Sequence, residues 1–130
     1  MILLDTHVVL WLLSDSAQLS TPAKDAITEA RARGEPLAVC GMTLLELTTL
    51  WSKARIQIKG GLEHLLGEIE RYFVVLPITG RACARIPNLP ASYPADPADR
   101  IIGATALAEG LILLTADREI RRSRAFRTIW

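Results

Sequence analysis

Half of the 130 residues are apolar and 22% are charged, the composition of one globular domain rather than of a disordered or multidomain chain. Fifteen Lys plus Arg against 14 Asp plus Glu leave a formal charge of +1, so no global field marks a nucleic-acid or membrane binder and any such function must come from local clustering. The basic residues are 12 Arg and 3 Lys, with no lysine beyond Lys59.

Ile2 to Leu4 is a short apolar run of the buried-strand type, and Val8 to Leu13 reads as a helix, with Asp5 or Thr6 as the N-cap between them. Met1 to Leu13 is apolar enough to suggest a signal peptide, but Asp5 and His7 interrupt it and no Lys or Arg precedes it. Uncharged stretches fall short of the ~18 apolar residues that cross a bilayer, so a soluble protein without a membrane partner is expected. Thr21-Pro22 supplies an N-cap and a favoured first helical residue for a polar helix to about Arg33, stopped by Gly34. Leu37 to Cys40 is a second buried strand, and Thr43-Leu-Leu-Glu46 is a capping-box pattern opening a largely apolar helix to about Arg55. After Gly60-Gly61, Leu62, Leu65, Leu66 and Ile69 recur at helical spacing, and Tyr72 to Ile78 reads as a third strand.

Thr79 starts a short helix ending near Pro87, and the four prolines between Pro87 and Pro97 mark a loop. Asp96-Pro97-Ala98-Asp99 starts a helix through Glu109, closed by Gly110, and Leu111 to Thr115 is a fourth strand. Asp117 opens an arginine-rich helical turn, and Arg127 to Trp130 adds an edge strand. Cys40 and Cys83 lack metal-ligand spacing and read as small core residues of a cytosolic, hence cytoplasmic, protein. Strands alternating with helices predict an α/β fold over residues 1–130, a mainly parallel sheet of four to five strands covered by helices on both faces.

Ligands of such sheets bind beyond the carboxyl ends of the strands, and four acids fall there. Asp5 follows the first strand, Glu46 lies in the first turn after the second, Asp99 in the first turn of the helix leading to the fourth, and Asp117 just past the fourth; Asp96 is a fifth candidate. Each has an ordinary structural explanation: Asp5, Asp96 and Asp117 as N-caps, Glu46 as the third residue of a capping box, Asp99 as an acid against a helix dipole. Their joint occurrence asks for more. Two carboxylates about 4 Å apart repel by roughly 4 kcal/mol at an effective dielectric of 20, and converging acids call for a cation. With oxygen ligands only, Mg²⁺ or Mn²⁺ is favoured over Zn²⁺.

Leu4-Asp5-Thr6-His7-Val8-Val9-Leu10-Trp11, Glu46 after the second strand, Asp96-Pro-Ala-Asp99-Arg100-Ile-Ile-Gly-Ala-Thr-Ala106, and Leu114-Thr115-Ala116-Asp117-Arg118 together resemble a PIN-domain ribonuclease of the VapC toxin family, over essentially the whole chain. The resemblance implies a metal-dependent endoribonuclease that is the toxin of a toxin-antitoxin pair, a homodimer, an assembly with a small antitoxin, and an RNA substrate. On it, Asp5, Glu46, Asp99 and Asp117 match the acidic constellation. Asp5, Asp99 and Asp117 are then the expected metal ligands for Mg²⁺ or Mn²⁺, with Glu46 orienting the attacking water or accepting its proton. Thr6, Asp96 and Thr115 stand beside them as supporting residues, each with a plain structural alternative.

His7 reads as a local hydrogen-bonding or rim residue rather than a general base, and His64 as exposed. Arg118, Arg121, Arg122, Arg124 and Arg127 form the only dense basic cluster, either a solvated helix face or a set of phosphate contacts, and Arg100 is suited to phosphate or to a carboxylate partner. Trp11 and Trp51 are either core fillers or anchors for another chain. Competing readings are weaker. A receiver domain needs a late lysine, and a haloacid-dehalogenase-like phosphatase needs a second Asp where this chain has His7. A PIN nuclease outside toxin systems, acting on RNA or DNA, and a PIN-fold binding module without activity remain as alternatives.

Overall fold

In the computed structural model, which describes residues 1–130, five strands form one wholly parallel sheet. They are β1 (Ile2–Leu4), β2 (Leu37–Cys40), β3 (Val74–Leu76), β4 (Ile112–Leu114) and β5 (Thr128–Ile129), in the order β3-β2-β1-β4-β5. Ile2 aligns with Leu37 on one side and with Ile112 on the other, so β1 is the central strand. The expected C-terminal edge strand is present, and it lies beside β4.

Alternation along the strands divides the core between the two faces of the sheet. Leu4, Val39 and Leu114 pack with Val8, Val9, Ile27, Leu47 and Ile69. Leu3, Ala38 and Leu113 pack with Tyr93, Ile102, Ala106 and Ile120. The first group draws on α1 (Thr6–Leu13), α2 (Thr21–Ala32), α3 (Gly41–Ser52) and α4 (Gly61–Tyr72), the second on α6 (Pro97–Glu109) and α7 (Arg118–Ser123). Such burial is needed on both sides because a parallel sheet has no solvated face. Between β3 and α6 run the single helical turn α5 (Gly80–Cys83), capped by the Thr79 hydroxyl, and a 3₁₀ turn at Ile86–Asn88 within the proline-rich stretch.

Several expectations need correction. Ser20, not Thr21, caps α2, accepting from the Ala23 amide at 3.2 Å and leaving Thr21 as the first helical residue. The Thr43 capping box does not exist: β2 runs directly into α3, whose N-cap is Cys40 without a side-chain bond, so Thr43 and Glu46 are interior helix positions. Cys40 is buried, but Cys83 is exposed, because α5 turns it away from the core. Trp11 and Trp51 are both half-buried, and Trp11 packs against Trp130 with ring centroids 5.5 Å apart. No helix is long and apolar enough to cross a membrane.

Candidate active site

The chain leaves the central strand in opposite directions, through β2 and β3 on one side and β4 and β5 on the other. The switch point of the sheet is therefore the cleft beyond the carboxyl ends of β1 and β4. Asp5 follows β1 and Asp117 lies three residues after β4. Glu46 reaches this edge from α3 and Asp99 from the first turn of α6, so all four acids come from segments that meet there.

Asp5 is the most constrained. Its amide extends the β1–β4 ladder to the Leu114 carbonyl at 3.0 Å, and the residue is only 7% exposed. The Thr6 amide donates to Oδ1 at 2.8 Å and the Thr115 hydroxyl to Oδ2 at 2.7 Å. Each oxygen keeps a free lone pair. The Thr115 hydroxyl also accepts from the Asp117 amide at 3.1 Å, tying the two strand ends together, while Asp117 caps α7 through the Ile120 amide at 3.0 Å.

The Thr6 hydroxyl donates to Glu46 Oε1 at 2.6 Å. Its proton being used there, the 3.0 Å contact with the Thr43 hydroxyl requires Thr43 to be the donor. Thr43 is fully buried and is a site residue that sequence reading missed. Thr-x-x-Glu reads equally as a cap or as two residues on one helix face, and only the unbroken passage from Leu37–Cys40 into the helix tells them apart.

Asp96 caps α6, accepting from the Ala98 amide at 2.7 Å and the Asp99 amide at 3.3 Å, and is exposed; its structural role is the one seen. Asp99 is half-buried, and the buried Tyr93 hydroxyl donates to its carbonyl at 2.7 Å. Burial pushes the Tyr93 phenol above its ordinary value. Tyr93 lies close against α6 because position 103 is glycine: a Cβ there would overlap the hydroxyl and stand 2.7 Å from Cζ. Tyr93 escapes sequence reading because a proline-rich loop gives no sign that one of its residues enters the core.

Burial raises the carboxyls of Asp5 and Glu46 above their ordinary range, and their neighbours Asp117 and Asp5, respectively, add to it. Asp99 is pushed up to about 7, first by burial and then by Asp5, Asp96, Asp117 and Glu46. The structure has three ion pairs, Met1–Glu35, Arg33–Glu29 and Arg81–Glu109, none involving these acids. Arg100 thus pairs with no carboxylate. His7 is exposed at the rim, packed at 6.0 Å on Trp11, and makes no local hydrogen bond.

The residues fit a hard divalent cation. The donors are all carboxylate and hydroxyl oxygens, their charge is uncompensated, and Asp5 retains lone pairs on a side chain that cannot turn away. As they stand, no three acids, histidines or cysteines converge closely enough to hold an ion. An ion would have to draw the carboxylates inward or be held partly through water.

Comparison with known proteins agrees with this architecture. Residues 2–125 match the sequence profile described as PIN domain. Ribonuclease VapC22 of Mycobacterium tuberculosis is 37% identical over 131 residues, covering 99% of this chain and 98% of that one. The crystal structure of VapBC2 from Rickettsia felis, bound to a DNA fragment from their promoter, superposes with a TM-score of 0.72 at 15% identity, covering 98% of this chain and 97% of that chain. A toxin-antitoxin complex from Klebsiella pneumoniae gives 0.67 at 22% identity, covering 97% and 95%.

Proposed function

The chain belongs to the PIN domain family, within its VapC ribonucleases, and from that premise we propose that it is an Mg²⁺- or Mn²⁺-dependent endoribonuclease, the toxin of a toxin-antitoxin pair acting in the cytoplasm. The observation that carries the chemistry is the buried Asp5 carboxylate at the switch point, with Glu46 and Asp99 raised beside it and no basic side chain paired to any of them. Asp5, Asp99 and Asp117 would hold the ion. Such an ion, when bound, supplies a hydroxide-like nucleophile at neutral pH and offsets the charge that grows on the phosphoryl oxygens.

The chain's own residues do the rest. Thr115 and the Thr6 amide fix Asp5 in one rotamer, so its free lone pairs keep one direction through the reaction. The Thr6 hydroxyl holds Glu46 by Oε1 only, leaving Oε2 to take the proton of the attacking water. Burial suits Glu46 to this, since a carboxylate of raised pKa is the better acceptor. Tyr93 fixes the α6 turn that carries Asp99.

We further propose a homodimer, able to enter a larger assembly with its antitoxin, whose acidic cleft a basic antitoxin segment blocks. A cavity of about 640 Å³ with an apolar wall at Leu10, Trp11, Leu13, Ile58 and Leu65 and a polar one at Gln57, Lys59, His64 and Glu68 supports a bound partner, as does Leu45 of α3, which is 59% exposed. The test is incubation of purified protein with total RNA, with and without Mg²⁺ or Mn²⁺, and mapping of new ends. New ends only with metal are expected; metal-independent or absent cleavage refutes the reading. A monomer at micromolar concentration that no neighbouring gene product inhibits would sink the toxin assignment and leave the nuclease.

A further inference from the structure

Resting on the nuclease reading, we propose that α7 carries a separate phosphate-binding cleft that takes the RNA backbone beside the cut without reading its bases. The cleft, about 420 Å³, is lined by four side chains only: Arg118, Arg121, Arg122 and Arg124. The first three lie one, three and four positions apart on one face of α7. Arg124 joins them because it caps the helix in the left-handed conformation, at φ 53°, which turns the chain back. Arg127, grouped with them by sequence, is not part of the lining.

This arrangement is unfavourable by itself. Like charges at helical i,i+4 spacing repel, a non-glycine residue at positive φ is strained, and none of the four arginines belongs to an ion pair. Glu119, the one acid of α7, neither lines the cleft nor pairs with them. Four guanidinium forks without a counter-charge match an anion of more than one phosphate, since each fork takes two oxygens of a phosphate. The cleft has no aromatic or apolar wall, so bases have nothing to stack on, and the contacts carry position and affinity rather than sequence.

Its location selects RNA over an acidic protein. Arg118 of the cleft directly follows Asp117, whose amide donates to the Thr115 hydroxyl that in turn donates to Asp5. The cleft therefore begins at the residue next to the acids. A strand approaching those acids meets repulsion, which this adjacent positive wall offsets.

The test compares the wild type with the triple variant Arg121→Gln, Arg122→Gln, Arg124→Gln. Binding of labelled oligouridylate and oligoadenylate of equal length is measured across a salt series without divalent ions, and cut positions are mapped with them. Each lost phosphate contact lowers the slope of log K against log salt by about 0.7 on a single strand, so a fall of roughly 2 is expected, equal for both oligomers. Cleavage should then need more RNA but fall at the same positions. The corresponding triple Lys variant should restore the slope, which excludes misfolding as the cause. An unchanged slope, a loss confined to one oligomer, or moved cut positions overturns the proposal. Wild type that binds steeply but makes no new ends refutes the nuclease while leaving the cleft; wild type that cuts while the Gln variant keeps its slope does the reverse.

Discussion

Asp5 shows how one side chain serves fold and site together. Its Oδ1 caps α1 while Oδ2 is locked by Thr115, so the ordinary capping role and the proposed metal role use different lone pairs of the same group. Asp5→Asn and Asp99→Asn should therefore each abolish most RNA cleavage while circular dichroism stays native, since an amide preserves shape but binds Mg²⁺ poorly. Wild-type cleavage by either variant, with metal added, would remove that residue from the ligand set. Tyr93 offers a contrasting case. Tyr93→Phe deletes one hydrogen bond to the Asp99 carbonyl and should cost about 1 kcal/mol in denaturant unfolding, whereas Gly103→Ala drives a methyl into the same ring and should cost about 1–3 kcal/mol. If Gly103→Ala unfolds at the wild-type midpoint, the close packing of loop on helix is wrong. The placing of Asp5, Asp99 and Asp117 at this edge is legible in the sequence because each follows a strand or opens a helix; Thr43 is not, because its partner lies 37 residues away on another helix, nor is Tyr93, because nothing in its proline-rich loop marks it as buried.

Elements were readable where local chemistry and burial agree. The α6 boundaries follow from Asp96, Pro97 and Gly110: a side-chain cap, a residue with φ already helical, and a residue in the left-handed conformation at φ 64°. Where they conflict, local patterns mislead. Thr43 and Glu46 have the letters of a capping box, but β2 is wholly buried and passes into α3 without a turn, so their side chains are freed to face α1 instead. Cys83 is a similar case, since a four-residue helix has too few positions for its buried face to be read. The consequence for α1 and α3 is a polar link between two otherwise apolar helices. Thr6→Val should leave Glu46 half-buried without its donor, at a cost of about 1–3 kcal/mol. Thr6→Val and Glu46→Ala combined, each of which removes the bond, should then deviate from additivity by about 0.5–3 kcal/mol. Additive unfolding free energies would show that the two helices are not coupled through this bond.

At the scale of the whole molecule, the site opposes the fold that holds it, and pH makes the opposition measurable. Asp99 has an ordinary pKa of 3.8 and is pushed up to about 7 in the folded chain, with Asp5 and Glu46 raised as well. A raised carboxyl means that the folded state binds more protons than the unfolded one between those values, so the slope of unfolding free energy against pH is negative there. Without metal, the contribution of Asp99 is therefore fully present below about pH 4, declines as pH rises to about 7, and is flat above. Other carboxylates titrate in the same range, so the comparison with Asp99→Asn isolates it: the two proteins should converge in melting temperature near pH 4, and the variant should be the more stable near pH 8. Divalent ions should reverse this ordering. They bind the ionised carboxylates, so the stabilisation of the wild type by Mg²⁺ or Mn²⁺ should grow from pH 5 to pH 8, reaching about 2.7 kcal/mol at a hundredfold excess over Kd, and should be much smaller in Asp99→Asn. A melting temperature of the wild type that responds to neither pH nor metal differently from Asp99→Asn would mean that Asp99 is an ordinary first-turn acid, neutralising the α6 dipole and nothing else.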